Sequence, residues 1–233
     1  MNWNGKLKAL TFSYDDGVTQ DIRLVELFNK YGMKATFNIN SECFEKAIEV
    51  TVGGKQIPHV RISAEDAKSL YAGHEIAAHT LTHPLLVRVA DDAEVIRQVE
   101  EDRRNLSEMF GYEIVGFAYP GGGVNFDSRL STLIKNNTGA LYARTTQTTN
   151  SFALPENLYE LHPTVYHMRF DDLMRLGKEF LDLEPESPAL FYVWGHSYEF
   201  DGYDAWDKFE EFLKMMSGHD DIFYGTNKEV LLP

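Results

Sequence analysis

Two adjacent carboxylates, Asp15 and Asp16, close the run Thr11-Phe12-Ser13-Tyr14-Asp15-Asp16-Gly17. An apolar stretch over residues 7–12 precedes them and a glycine follows at once. The segment therefore reads as a short buried strand that stops at a tight turn. Acids delivered to the carboxyl end of a strand sit where parallel α/β proteins gather their chemistry. The plainer alternative is a polar turn, since Asp and Gly are ordinary turn residues. A second cluster is His79-Thr80-Leu81-Thr82-His83-Pro84. Histidines spaced this way meet on one face of a helical turn and can share a metal ion; otherwise they hydrogen-bond locally within a loop. Joined by one carboxylate, they make a three-ligand site with positions open to water and substrate.

Two further clusters follow apolar runs. In Phe117-Ala118-Tyr119-Pro120-Gly121-Gly122-Gly123 the glycines let the backbone approach a ligand closely, and an N–H near Gly121 is a candidate oxyanion donor. A plain strand-ending turn is the competing reading. Val193-Trp194-Gly195-His196-Ser197 places a histidine at another strand end. A histidine satisfied by the core is the usual alternative there, but its position at the same rim favours a functional role.

The elements that must position these clusters alternate between strand and helix. Strands are expected near residues 7–12, 35–39, 75–78, 115–119, 141–145 and 190–194. Shorter ones are expected at Leu161 and at 222–224. Helices are expected over 23–31 with Asp21 as N-cap, 63–71, 91–110, 127–136, 171–181 and 204–216. Residues 40–61 read as irregular, with Gly53-Gly54 suggesting a hairpin or excursion. Alternation with short connections predicts a parallel sheet flanked by helices, closed by right-handed crossovers into a barrel or nearly so. Neither repeat nor linker divides the chain, so residues 1–233 are expected to form a single domain.

Composition narrows the function. The 233 residues carry a formal net charge of −14 and no basic stripe, which disfavours nucleic acid and anionic membranes and suits a neutral sugar. Cys43 is the only cysteine, so an intrachain disulfide and a thiolate zinc cluster are excluded. An apolar leader and a membrane-length run are both missing, and a cytoplasmic location is the expectation.

Together these motifs resemble the polysaccharide deacetylases, the NodB-homology proteins of carbohydrate esterase family four. The resemblance spans roughly Leu10 to His196, and its first two motifs are the most specific. It implies a distorted, seven-stranded (β/α) barrel and a divalent metal, zinc by default. The substrate it implies is an acetylated carbohydrate, N-acetyl or O-acetyl. By position it makes Asp15 the general base and Asp16, His79 and His83 the metal ligands. His196 becomes the general acid and the N–H of Gly121 the oxyanion donor, with Tyr119, Pro120 and Trp194 beside it on the substrate side. One departure stands out. The family's third motif has arginine two residues before its proline, where this chain has Ala118. Arg144, at the end of the fifth strand, is the candidate to hold Asp15 instead; a surface salt bridge is its alternative role. Trp194, Tyr198 and Phe200 could offer a face to a sugar ring, and His162 or His167 could support His196. Two other readings stay open: hydrolysis of another non-peptide C–N bond in a small molecule, and a catalytically weak sugar-binding member.

Overall fold

A computed structural model describes residues 3–232. Residues 1, 2 and 233, part of the expected single domain, lie outside the described residues. The elements run β1 (Lys8–Asp15), α1 (Asp21–Lys30), β2 (Ala35–Ile39), β3 (Ala47–Val52), β4 (Lys55–Val60), α2 (Ala64–Leu70) and β5 (Glu75–Ala78). Then come α3 (Asp92–Phe110), β6 (Gly116–Ala118), α4 (Ser128–Asn137), β7 (Tyr142–Arg144), β8 (Val165–Tyr166) and α5 (Phe170–Asp182). The chain finishes with β9 (Ala189–Gly195), α6 (Tyr198–Gly202), α7 (Trp206–Met216), β10 (Ile222–Tyr224) and α8 (Asn227–Leu231).

The main sheet has the order β7-β6-β5-β2-β1-β9-β8, and all its pairs are parallel. β10 adds to the amino-terminal half of β1, on Lys8 to Leu10. The sheet curls into a half-barrel. Its ends, β7 and β8, do not pair; a single parallel bridge from Arg144 to Leu161 lies in the gap.

β1 is buried along its whole length, and its two faces differ. Leu10, Phe12 and Tyr14 meet the helical layer, where Phe12 packs 4.8 Å from Phe28 and Tyr14 packs 5.7 Å from it. Thr11, Ser13 and Asp15 face the barrel interior, which is polar. At its lower end Glu75 accepts hydrogen bonds from Thr36, Tyr142 and the Lys228 N–H. There α8 acts as a floor, with Asn227 bonded to Thr11 and Tyr192. At the upper end the same alternation delivers Asp15.

Several local expectations are corrected. Asp21 is not an N-cap: it is the first residue of α1, is fully buried, and accepts hydrogen bonds from Ser197 and Tyr71. Residues 79–83 are not helical. Thr80 and His83 have φ of +69° and +64°, so the chain doubles back through left-handed residues. The strand expected at Leu161 forms four residues later as β8, and Leu161 contributes one bridge. Residues 40–61 are not irregular throughout: the hairpin suggested by Gly53-Gly54 forms as the antiparallel pair β3–β4. No helix among the described residues is long and apolar enough to cross a membrane.

Candidate active site

Parallel pairing aligns the strand ends. Asp15 is in register with Asn38, Ile39 with Ala78, Ala118 with Arg144, and Tyr14 with Gly195. The residues just at or past those ends therefore converge on one rim. Asp15 is 2% exposed. Its Oδ1 accepts from Asn38 Nδ2 at 2.8 Å and from Arg144 Nη2 at 2.5 Å, and Arg144 also reaches Oδ2. The guanidinium lies 4.8 Å from the centre of the Trp194 ring. Arg144 faces Ala118 directly across the β6–β7 pair, so an arginine stands one strand away from the position at which the family motif carries one. Burial pushes the Asp15 carboxyl up, but Arg144, His79 and His196 outweigh that and hold it below its ordinary value.

Asp16 lies in the left-handed region at φ +86°. Its N–H bonds the Asn38 carbonyl at 3.0 Å, its Oδ2 accepts from His59 Nε2 at 3.1 Å, and its Oδ1 is 3.4 Å from His83 Nε2. Burial raises its pKa, yet the His59 hydrogen bond and the charge of Arg61 bring it well below the carboxylate range. His79 is anchored at both ends. Its backbone N–H bonds Asp102 at 2.9 Å, and its Nδ1 donates to the Ala118 carbonyl at 2.8 Å. That bond fixes the tautomer and leaves Nε2 as a bare lone pair, buried with no hydrogen-bond partner. Burial lowers the His79 pKa to about 3 and also lowers that of His83, which favours the neutral ring in both. Donor atoms of Asp16, His79 and His83 lie within 4.8 Å of one another. An orphaned imidazole nitrogen, a second neutral imidazole and an ionised carboxylate fit a divalent cation.

His196 Nε2 stands 3.8 Å from Asp15 Oδ2, and His79 Nε2 is 4.0 Å from the same oxygen. The Nδ1 of His196 donates to Glu199 Oε2 at 3.1 Å. Burial alone would lower the His196 pKa. Glu199, then Asp15 and Asp16, reverse this and raise it to about 9. His167 donates its Nε2–H to the same Glu199 oxygen at 2.8 Å and is itself bonded to the Tyr14 hydroxyl through Nδ1. Gly121 follows buried Pro120, has φ +84°, and its N–H meets no acceptor among the described residues.

Three residues expected on the substrate side, Tyr119, Trp194 and Phe200, are buried instead. The Tyr119 hydroxyl donates to the Tyr159 carbonyl and its ring packs on Phe117 and Phe126, fully buried. Trp194 is 7% exposed and sits between Arg144 and Tyr166, so its face is taken. Phe200 is core, while Tyr198 is half-buried between His59 and His196. His162 bonds Thr145. Sequence reading missed Glu199, Asp102, His59 and Arg61. Glu199 lies three residues beyond His196, one helical turn away, and Asp102 is a lone acid on the apolar stripe of Val95, Val99 and Leu106; both carried a signal. His59 and Arg61 carried none.

A curled parallel sheet with paired acids and two histidines on its carboxyl rim defines a class of barrel hydrolase. The family model "Polysaccharide deacetylase" matches residues 3–136, more than half the chain, and the chain belongs to that family. No curated protein matches the sequence. Among solved structures, the chain resembles Puue allantoinase at TM-score 0.69 and 13% identity, covering 95% of this chain and 87% of that one. It resembles a family 4 carbohydrate esterase from Streptomyces lividans, solved with acetate, at TM-score 0.55 and 13% identity, covering 97% and 95%. Against the Streptococcus pyogenes deacetylase PplD, solved with acetate, the TM-score is 0.52 at 18% identity. That match covers 64% of this chain and spans 61% of the deacetylase. At these identities the likeness is one of fold.

Proposed function

We propose that this chain is a divalent-cation-dependent hydrolase that removes an acetyl group, N-linked or O-linked, from a carbohydrate. The observation that carries the reading is the placement of Asp15. One of its oxygens stands 3.8 Å from His196 and 4.0 Å from His79, beside the Asp16–His79–His83 donor set. Those three residues would hold the cation, with zinc the default for such donors. When bound, it supplies Lewis-acid polarisation of an acyl oxygen and lowers the pKa of water.

The chain's own residues supply the proton transfers. Asp15, ionised and aimed by Arg144 and Asn38, takes the proton from the attacking water. The unpartnered Gly121 N–H is the donor for the developing oxyanion. Its glycine turn is held by Asn125, which bonds the Tyr119 carbonyl at 2.9 Å. His196, kept protonated by Glu199, gives its Nε2 proton to the leaving nitrogen. An amide nitrogen leaves poorly without that proton and an alkoxide less so. His196→Gln is therefore expected to spare ester cleavage relative to amide cleavage.

The test is acetate release by zinc-loaded protein from N-acetylated oligosaccharides and O-acetylated sugars. Release from one of these classes supports the reading. Absence of release from all of them, with zinc bound, sinks it. The panel includes a cyclic amide, because another C–N bond would call on the same base and acid.

A further inference from the structure

The hairpin β3–β4 stands outside the main sheet and is largely exposed, yet its last residues reach into the site. His59 is buried and donates Nε2–H to Asp16 Oδ2 at 3.1 Å. Arg61 donates through Nη1 to the Asp16 backbone carbonyl and, at 2.9 Å, to Asn40 Oδ1. Its Nη2 lies 2.9 Å from Asp16 Oδ1. The hairpin is strapped down on two sides. Thr19 N bonds the Val60 carbonyl and Ile62 N bonds the Gly17 carbonyl, which joins it to the turn that follows Asp16. At the far end, Gly53 meets α6 so closely that a Cβ there would lie 2.6 Å from the Gly202 carbonyl oxygen. The Tyr198 ring packs edge-on against His59, with centroids 4.9 Å apart.

This strapping has a physical purpose at Asp16. A non-glycine residue at positive φ is strained and persists only where its surroundings over-determine it. The carboxylate is also free to rotate unless one oxygen is engaged. Oδ2 is taken by His59, and Oδ1, 2.9 Å from Arg61 Nη2, is the oxygen that faces His83, so both side chains after the hairpin turn set the carboxylate's orientation. We infer that the hairpin is the outer support of the cation site, with His59 a positioning residue that fixes which Asp16 oxygen is presented. The inference rests on the cation-site reading above. Hydrogen-bond partners of metal-ligating groups typically contribute about 10- to 100-fold in metal affinity.

The experiment is a zinc titration of the metal-stripped full chain against a chromophoric chelator. His59→Leu is expected to weaken zinc binding by about 10- to 100-fold while leaving the far-UV circular dichroism of the stripped protein unchanged. His59→Gln, whose amide can still donate to Oδ2, is expected to recover part of that loss. Gly53→Val, far from the donors but in collision with Gly202, is expected to weaken binding too, and it carries the test if His59→Leu does not fold. Unchanged zinc affinity in the folded variants would overturn the inference and leave the cation reading standing. A wild-type chain that takes up no zinc would overturn both.

Discussion

Asp15 is a buried carboxylate hydrogen-bonded to the fully buried Arg144, with His196 3.8 Å from its Oδ2. Breaking such a pair is costly because the remaining charge has no water to turn to. Arg144→Met is expected to destabilise the fold by about 3–5 kcal/mol, read by urea denaturation. Arg144→Lys keeps the charge and loses the planar fork. It is expected to lower turnover about 100-fold through misorientation of Asp15, and unchanged turnover would show that the fork does not matter. On the acid side, an N-acetyl substrate is expected to show an alkaline limb near the His196 value of about 9. Glu199→Gln removes the negative charge that does most to hold the proton on His196, so the limb should move toward the ordinary histidine range, roughly 6.5. A limb left in place would dissociate Glu199 from the acid. At this scale the sequence was informative wherever chemistry sits at a strand end. Asp15, Asp16, His79, His83 and His196 could all be singled out for that reason. Arg144 could be singled out because Ala118 left a gap. His59 and Arg61 could not, since nothing local in a hairpin strand shows which carboxylate it will meet.

Element by element, long periodic segments were the readable ones. α3 runs from its Asp91 cap to a left-handed Gly111 because both ends and the apolar stripe agree. β8 has two residues, too few for an alternation to show, and its register comes from pairing with β9. Asp21 reads as a cap by residue type, but burial and two hydroxyl donors override that local preference. Behind the proposed cation donors, α3 sets Asp102 against the segments that follow β2 and β5. Its carboxylate accepts from Ser41 N at 2.7 Å and His79 N at 2.9 Å. Asp102→Leu leaves Ser41 N without its partner, at about 1–3 kcal/mol if it stays unsatisfied, while His79 N keeps the Ile39 carbonyl at 3.0 Å but loses the second anchor. The expected result is a lower urea midpoint together with weaker zinc uptake. A stable variant with unaltered zinc binding would remove α3 from the positioning of His79.

For the whole molecule, buried ionisable groups set the pH dependence of stability. Burial raises Asp21 and Asp102 to about 7, above their unfolded values. The stability they contribute is full below the ordinary carboxylate range and is lost as pH climbs through about 7. Burial lowers His74 to about 4, so its share is lost as pH falls from the ordinary histidine range toward that value. Two raised carboxyls outweigh the one lowered histidine, so these groups should make the Tm of the metal-free protein fall as pH climbs from about 5 to 7. Asp21→Asn should flatten that fall; calorimetry across pH decides. The proposed activity depends on Asp15 working beside a bound cation. The most direct measurement adds zinc back to stripped protein and follows acetate release from an N-acetylated oligosaccharide, wild type beside Asp15→Asn. The expected result is activity restored at one equivalent in the wild type. The variant should take up zinc equally and turn over about 100- to 10,000-fold more slowly. Equal activity in the two, or release that ignores zinc, would contradict it.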